Sequence, residues 1–275
     1  MTVVLDPAAH AFDSIATTFD ARYGSWCSVA AQRAAVRDVL LRTFPIGADL
    51  IEIGGGTAED AVWLTQRGRR VTMTDVSPAM IEVARAKLLP LDAPEPMAVN
   101  AGSLDRMAAG LVALNGGAFD GAFSNFAALN CVTDLAPTAR GLARLIKPGG
   151  RAVLVVFGTA SVGEVVVQLV RLDPGAAFRR LARGKVRARL GGRGFTVRYH
   201  RRSDIVKAMA PWFSLAATKG IGVFVPPSAA EPWISGWPSL VRRLQAADTI
   251  VSDVLAPLGD HVLYAFQRTA ATVPA

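Results

Sequence analysis

This sequence of 275 residues has little cysteine and little histidine. It contains two cysteines, Cys27 and Cys131, and three histidines. Two cysteines cannot build a disulfide framework, and no Cys/His cluster has the spacing of a zinc site. We therefore expect no metal ion and no fold held by disulfides. This use of cysteine fits a cytoplasmic protein.

Long apolar runs, internal repeats and low-complexity segments are also lacking. The run from Ala152 to Gly163 meets Glu164 well before the roughly 18 residues that a membrane span needs. The first ten residues, Met1 to His10, have neither the basic flank nor the apolar core of a secretory signal. We predict a protein without a membrane span.

Acidic residues are outnumbered, because 22 Asp and Glu stand against 30 Lys and Arg and give a net charge of +8. Much of the excess lies between Arg171 and Arg202. Such a stretch is either a solvated basic face or a site for an anion or a partner, and both readings stay open. No aromatic pattern interleaves with these charges, which disfavours nucleic acid as a partner.

The chain does have the apolar content and the segment order of an α/β domain. Hydrophobic residues make up 51% of it, which is enough for a buried core. Up to Gly158, strand-like and helix-like segments alternate. The predicted strands are 49–53, 70–75, 97–101, 119–125 and 151–157, and the predicted helices are 57–66, 77–89 and 135–146. This alternation predicts a mostly parallel, doubly wound sheet.

The alternation breaks beyond Gly158. A helix at 162–183, a glycine-rich turn at 191–194, a strand at 195–199 and a helix at 203–210 make this stretch longer than one crossover needs. A sixth strand at 215–224, a helix at 237–255 and a last strand at 261–267 follow. We expect the extra segment to fold over the carboxyl edge of the sheet, where open α/β sheets bind ligands.

The strongest motif is a strand that opens through Gly54, Gly55 and Gly56 into a helix. Glycines let a ligand approach the backbone, but dinucleotide sites share such a turn. Three carboxylates, in Glu52, Glu59 and Asp60, crowd the helix N-terminus, where a dinucleotide would place its pyrophosphate. They would repel a diphosphate and suit a ligand with a sulfonium and an ammonium group. We therefore predict S-adenosylmethionine as the cofactor.

Two further positions fit the same unit. Asp75 ends the second predicted strand about 20 residues past the glycines, where a carboxylate accepts hydrogen bonds from ribose hydroxyls. In the third loop, Gly102, Ser103 and Leu104 offer an amide, a hydroxyl and an apolar wall to adenine. A simple turn explains that third loop nearly as well.

Together these segments resemble the motifs of class I S-adenosylmethionine-dependent methyltransferases. The resemblance rests on residues 51–58, 74–80, 119–125 and 146–154 and covers roughly residues 10 to 160. Its N-terminal part, Phe12 to Ala16 followed by Phe19 and Asp20, is similar to the ubiquinone/menaquinone C-methyltransferase group. One departure is Ala58, which stands where the usual motif has its third glycine.

The resemblance implies a seven-stranded, Rossmann-like methyltransferase fold with an N-terminal helical lid and an inserted cap. The expected divisions are a lid at 1–45, a cofactor-binding core at 46–160, a helical and basic cap at 161–212 and the last strands, with a Pro/Trp loop and helix, at 213–270. The implied cofactor-binding residues are Glu52, Gly54, Gly55, Gly56, Asp75, Val76, Met80, Ser103, Leu104, Ser124, Asn125 and Phe126.

The acceptor site and the general base are less defined. The lid segment from Phe12 to Trp26 is expected to close over the cofactor. Candidates for catalysis are Tyr23, Asn130, Tyr199 and His200, and candidates for substrate contact are Arg198 and Trp233. We interpret His10 and His261 as surface or edge histidines.

The sequence therefore predicts an enzyme that transfers a methyl group from S-adenosylmethionine to a small molecule, with an apolar, aromatic, anionic or lipid-like acceptor. The product of the cofactor is S-adenosylhomocysteine. Two alternatives stay open: an RNA or protein methyltransferase that uses the basic stretch at 171–202, and a cofactor-binding module without catalysis. A monomer and a homodimer are both compatible with the sequence.

Overall fold

The computed structural model describes residues 6–273. Its strands are β1 (Asp49–Ile53), β2 (Arg70–Asp75), β3 (Met97–Ala98), β4 (Phe119–Ser124), β5 (Ile146–Phe157), β6 (Lys185–Leu190), β7 (Arg193–Arg198), β8 (Phe213–Ile221) and β9 (His261–Arg268). Its α-helices are α1 (Pro7–Asp13), α2 (Phe19–Tyr23), α3 (Cys27–Thr43), α4 (Glu59–Thr65), α5 (Pro78–Leu88), α6 (Leu104–Asn115), α7 (Ala136–Leu145), α8 (Val162–Val170), α9 (Pro174–Phe178), α10 (Arg202–Met209) and α11 (Pro238–Val251).

Seven strands form one sheet in the order β3-β2-β1-β4-β5-β9-β8. The pairs from β3 to β5 are parallel, and β9 runs antiparallel to both of its neighbours. The predicted doubly wound, mostly parallel sheet of seven strands is confirmed. The strand order reverses between β1 and β4, and in such sheets this switch point is where ligands bind.

Helices cover both faces of the sheet. Alternate side chains of a strand point to opposite faces, so Leu50 of β1 lies in the core with α3, α4 and α5. Its neighbour Ile51 lies in the core with α6 and α7. Each helix therefore buries one apolar stripe against a sheet that is apolar on both sides.

Helix α6 is an element that the sequence analysis missed. Leu104, Ala108 and Leu111 recur at helical spacing and are buried in the main core. Leu104 therefore begins a core helix instead of contacting adenine, as we had expected.

The segment between β5 and β8 differs from the expected single long helix. The predicted helix at 162–183 is broken into α8 and α9, because Leu172 takes a positive φ of 58° and Pro174 follows. Strand β6, which was not predicted, pairs with β7 in a separate hairpin. Helix α10, assigned by sequence to the cap at 161–212, packs Ile205 and Met209 into the main core.

Candidate active site

A cavity of about 350 Å³ lies at the switch point, beneath the N-terminal helices and the β6–β7 hairpin. Its floor is formed by the carboxyl ends of β1, β2, β4 and β5 and by the start of β9. Among the residues that line it are Tyr23, Gln32, Arg33, Glu52, Gly54, Gly55, Gly56, Asp75, Val76, Met80, Asn125, Phe126, Cys131, Phe157, Asp260 and His261. The volume is at the lower end of the range for small-molecule sites.

The loop after β1 needs glycine for two reasons. Gly54 and Gly56 have φ of +72° and +58°, in the left-handed region that glycine adopts without strain. A Cβ on Gly54 would also lie 2.3 Å from the Cβ of Ala128. Ala58, at the position of the missing third glycine, keeps a left-handed φ of 65° although it is buried. The substitution therefore preserves the loop conformation at the cost of some backbone strain.

Glu52 lies under this loop as a buried carboxylate. Its Oε2 atom has no hydrogen-bond partner among the residues that the structure describes. Burial, and then the nearby charge of Asp60, raise the pKa of Glu52 well above its usual range. An unpartnered buried carboxylate is costly, so this atom is ready to accept a hydrogen bond from a ligand.

Asp75, at the end of β2, is held by the backbone. Its Oδ2 accepts a hydrogen bond from the amide of Gly56 at 2.9 Å, and its Oδ1 accepts one from the amide of Ser77 at 2.9 Å. Burial raises the pKa of Asp75 despite these amides. Val76 and Met80 line the cavity beside it. A carboxylate with free lone pairs next to an apolar wall can hold a ribose and its base.

The third loop contributes different residues from those expected. Ser103 does not line the cavity, and its hydroxyl accepts a hydrogen bond from Arg106. The cavity is instead bounded there by residues 99–101. Asn100 connects this loop to the N-terminal segment, because its Nδ2 donates to the carboxylate of Asp6 at 2.7 Å.

The loop after β4 places two of its three predicted residues at the cavity. Ser124 is fully buried below it, with no partner for its hydroxyl within the described part of the chain. Asn125 and Phe126 line the cavity, and Asn125 donates to Asp60 at 2.7 Å. Phe126 has a φ of 47°, a strained value for a side chain of this kind.

Carboxylates fasten the N-terminal helices to the sheet edge. Asp13 accepts hydrogen bonds from the Ser77 hydroxyl at 2.6 Å and the Ala79 amide at 3.0 Å. Asp20 accepts one from Thr57 at 2.6 Å and forms an ion pair with Lys87. These contacts join the N-terminal segment to the loop before α4 and to both ends of α5.

Three of the four candidates for catalysis lie outside the cavity. Asn130 donates to the carbonyl of Arg198 and accepts from the amide of Phe157, so both ends of its amide are used within the fold. Tyr199 is buried against Phe157. His200 is buried with Nε2 on the carbonyl of Val132. Burial lowers the pKa of His200, which keeps it neutral. Only Tyr23 lines the cavity.

The two candidates for substrate contact are also placed elsewhere. Arg198 donates to the carbonyl of Thr133 at 2.8 Å and lies 3.7 Å from Asp204, so it fastens the hairpin to the core. Trp233 is 59% exposed and is not among the residues that line the cavity. Neither residue supports the expected contact with an acceptor.

His261, which we had interpreted as an edge histidine, lies in the cavity wall. The antiparallel register places it opposite Phe157, and the two rings stack with centroids 4.9 Å apart. Its Nδ1 is 3.1 Å from Oε1 of Gln32 and 3.3 Å from a carboxylate oxygen of Asp260. No partner for Nε2 is found among the described side chains and backbone groups. The imidazole is therefore held by one nitrogen and has the other free.

Asp260 is a buried anion with a fixed partner. Its carboxylate accepts a hydrogen bond from Arg180 at 2.8 Å, and Arg180 also contacts Glu164. Burial opposes the charge of Asp260, but Arg180 and then His261 outweigh it and hold the pKa of Asp260 well below its usual range. Sequence reasoning missed this cluster, because its members come from α3, the 171–202 stretch and β9.

Two other cavity residues carry chemical information. Arg33 of α3 lies over the ring of Phe126 and 3.4 Å from Glu59. It places a cation in the cavity wall that no sequence motif predicted. Burial raises the pKa of the Cys131 thiol to about 12, so this thiol stays protonated. Between residues 6 and 273, no group of three or more His, Cys, Asp or Glu side chains is arranged to hold a metal ion.

Comparisons with known proteins agree with this geometry. Residues 51–154 match the family model described as a methyltransferase domain. An S-adenosylmethionine-dependent methyltransferase from Mesorhizobium loti has a similar structure, with 17% identity, a TM-score of 0.50 and coverage of 88% of this chain and 98% of that one. A second, from Methanosarcina mazei, has 16% identity, a TM-score of 0.54 and coverage of 85% and 98%.

A third similar structure is the geranyl diphosphate C-methyltransferase from Streptomyces coelicolor A3(2), in complex with Mg²⁺, geranyl diphosphate and S-adenosylhomocysteine. It has 17% identity and a TM-score of 0.51, and the match covers 86% of this chain and 79% of that one. No curated protein matches the sequence.

The domain match and the sheet order agree with each other. Residues 51–154 match a methyltransferase domain, and the seven-stranded sheet has the Rossmann-like fold that the similar structures share. The similarity of its N-terminal segment to the ubiquinone/menaquinone group stays a prediction. No helix in the range 6–273 is long and apolar enough to cross a membrane.

Proposed function

We propose that this enzyme methylates a small molecule that binds between Phe126, Phe157 and His261. The observation that carries the proposal is the continuity of the cavity. One cavity runs from the glycine loop and Asp75 to an aromatic wall that contains a histidine with a free nitrogen. Such a space suits a small acceptor with an apolar or aromatic body.

The cofactor end has a group for each part of S-adenosylmethionine. Asp75 is assigned to the ribose hydroxyls, and Val76, Met80 and residues 99–101 to the adenine. Glu52, with its unpartnered oxygen, is assigned to the ammonium end of the methionine, and Arg33 to its carboxylate. These assignments rest on charge complementarity and on the positions of the residues along the cavity.

The bound cofactor supplies an electrophilic methyl group on a sulfonium. The protein has to hold the acceptor in line with this methyl group and keep water out, and alignment alone accounts for several kcal/mol of the barrier, about 7–11 in ideal cases. We assign His261 the role of general base, which takes a proton from an acceptor hydroxyl or amine through Nε2. Gln32 and Asp260 then orient the ring through Nδ1.

The basic stretch gives less support to an RNA or protein acceptor. Arg179 and Arg180 form ion pairs with Glu164, and Arg180 is buried, so reversal of its charge would disrupt the fold before it tested any partner. The β6–β7 hairpin covers the cavity. A macromolecular acceptor would have to displace it.

The test measures formation of S-adenosylhomocysteine with a panel of small hydroxylated aromatic, amine and isoprenoid acceptors. We expect turnover that depends on the acceptor in the wild type and its loss in Asp75→Ala. Tight binding of S-adenosylmethionine without turnover across the panel would contradict the small-molecule proposal and favour the cofactor-binding module.

A further inference from the structure

Helix α8 turns its apolar face to solvent. Val162, Val166, Leu169 and Val170 are 47%, 53%, 44% and 77% exposed, and their spacing places them on one side of the helix. The opposite side buries Glu164 and Gln168. This is the reverse of an ordinary amphipathic helix on a globular domain, so the fold itself does not explain the apolar face.

Buried polar contacts fix this orientation. Glu164 accepts hydrogen bonds from Arg179 at 2.7 Å and from Arg180 at 3.2 Å, and Gln168 donates to it at 3.3 Å. Arg180 continues the network to Asp260 beside the cavity. Rotating α8 to hide its valines would break buried ion pairs, which is strongly unfavourable. The apolar stripe is therefore held outward.

The apolar face of α8 continues beyond the end of the helix to a residue with a strained backbone. Leu172 follows α8 with a φ of 58°, at a position where helices usually end in glycine, and it is 89% exposed. No large hydrophobic side chain in residues 6–273 is more exposed. Phe178 and Leu181 extend the apolar surface at 50% and 54% exposure. Leu172 is therefore both strained in its backbone and exposed to water, and this combination indicates a binding role.

The charges around the stripe indicate what it binds. Arg171, Arg183, Lys185 and Arg187 are exposed in the stretch of chain that follows α8, and the one exposed acid between residues 162 and 189 is Asp173. A second copy of this chain would bring a like charge to the same face. An anionic bilayer complements both features, because apolar side chains enter the boundary of the acyl region while lysine and arginine meet the headgroups.

We propose that the α8–α9 surface, formed by the exposed residues of 162–187, is a docking site for anionic membranes. The inference is independent of the proposed function, because it concerns an outer surface and is measured without turnover. It describes a helix that lies on the bilayer and does not span it.

The experiment measures sedimentation of the full chain with phosphatidylcholine vesicles that contain either no phosphatidylglycerol or about 30% of it. We expect binding to the anionic vesicles that weakens between about 0.05 M and 0.5 M salt, because salt screens the basic residues. Absence of binding to either vesicle at low salt would overturn the proposal.

The decisive variant is Leu172→Gly. Glycine prefers the left-handed conformation, so this substitution keeps the fold while it removes the most exposed apolar side chain. We expect vesicle affinity to fall about tenfold, in line with the loss of one buried leucine. The matched control is Ile250→Ser on α11, since Ile250 is 82% exposed outside this surface. Equal loss in the control, or no loss in Leu172→Gly, would overturn the assignment.

Charge reversal gives an independent reading. Arg183→Glu combined with Lys185→Glu changes two exposed residues and should abolish the preference for anionic vesicles. Sedimentation velocity on the same variants separates a membrane site from a self-association site. A wild-type dimer that Leu172→Gly dissociates, without vesicle binding, would overturn the membrane proposal in favour of a second copy.

Discussion

The imidazole of His261 stacks on the ring of Phe157 at 4.9 Å, because the last antiparallel pair between β5 and β9 places them opposite each other. This pair fixes an imidazole ring at the edge of the sheet where the methyl group of a bound cofactor is expected. The position of His261 therefore follows from the sheet topology, since β9 runs antiparallel to both of its neighbours, β5 and β8.

Replacement of His261 by Gln should lower kcat about 10²- to 10³-fold for a hydroxyl acceptor and leave the affinity for S-adenosylmethionine nearly unchanged, because a general base acts in the transition state. His200→Gln is the control, since His200 lies outside the cavity. A kcat in His261→Gln equal to that of the wild type would exclude the general-base role.

Substitution of Glu52 by Gln should stabilise the protein without cofactor and should weaken its binding of the cofactor. Burial raises the pKa of Glu52, so the folded state holds its proton more tightly than the unfolded state does. The stabilising effect of this group is complete below the ordinary glutamate pKa and is lost as pH rises toward the folded value. At neutral pH, ionisation of the buried Glu52 side chain lowers the free energy of unfolding, and the neutral amide of Gln avoids this loss.

The measurement is thermal unfolding of Glu52→Gln and wild type near pH 4 and pH 7.5. We expect the variant to gain more at the higher pH, by roughly 2–4 °C for each kcal/mol. Calorimetric titration with S-adenosylmethionine should show weaker binding at pH 7.5. A variant that is less stable at both pH values would contradict the role of an unpartnered buried charge.

Substitution of Arg33 by Gln should weaken S-adenosylmethionine binding by about 10- to 100-fold, because hydrogen bonds to charged groups contribute about 1.5–3 kcal/mol. Calorimetric titration measures the change. The control is Arg42→Gln, an exposed arginine on the same helix that pairs with Asp38. Equal affinities of the Arg33 variant and the control would exclude Arg33 as the partner of the cofactor carboxylate.

Local patterns in the sequence were sufficient to predict the sheet and to bring together the residues at one end of the candidate site. The glycine loop and Asp75 stand in consecutive segments of one βαβ unit, so short-range spacing predicted their neighbourhood. Helix α6 has a local signal of the same kind, because Leu104, Ala108 and Leu111 recur at helical spacing.

The acceptor end could not be predicted in the same way. His261, Gln32 and Arg180 meet only because β9 inserts beside β5 and because α3 crosses above it, and no local period encodes those contacts. Helix α8 has the apolar period of a buried helix, but burial of Glu164 turned that face outward. Long-range ion pairs, which composition does not reveal, decided the orientation.

The β6–β7 hairpin and the N-terminal segment meet at Gly191, and Gly191→Ala should loosen this contact. Gly191 has a φ of +54°, and a Cβ there would lie 2.3 Å from Oγ of Ser14 and 2.8 Å from Cγ2 of Ile15. We expect weaker cofactor binding and faster proteolysis of the N-terminal helices, because these helices must move to make room for the added Cβ of alanine.

Gly192→Ala separates the contact from the backbone strain. Gly192 has a φ of +77° in the same turn, but a Cβ there meets nothing within 4 Å. Both variants therefore carry the strain of a left-handed alanine, on the order of 1 kcal/mol. Only Gly191→Ala also places a Cβ against Ser14 and Ile15. Calorimetric titration with S-adenosylmethionine and limited proteolysis should distinguish them. If the two variants behave alike, the strain of the turn alone accounts for the effect, and the contact with Ser14 and Ile15 does not control closure.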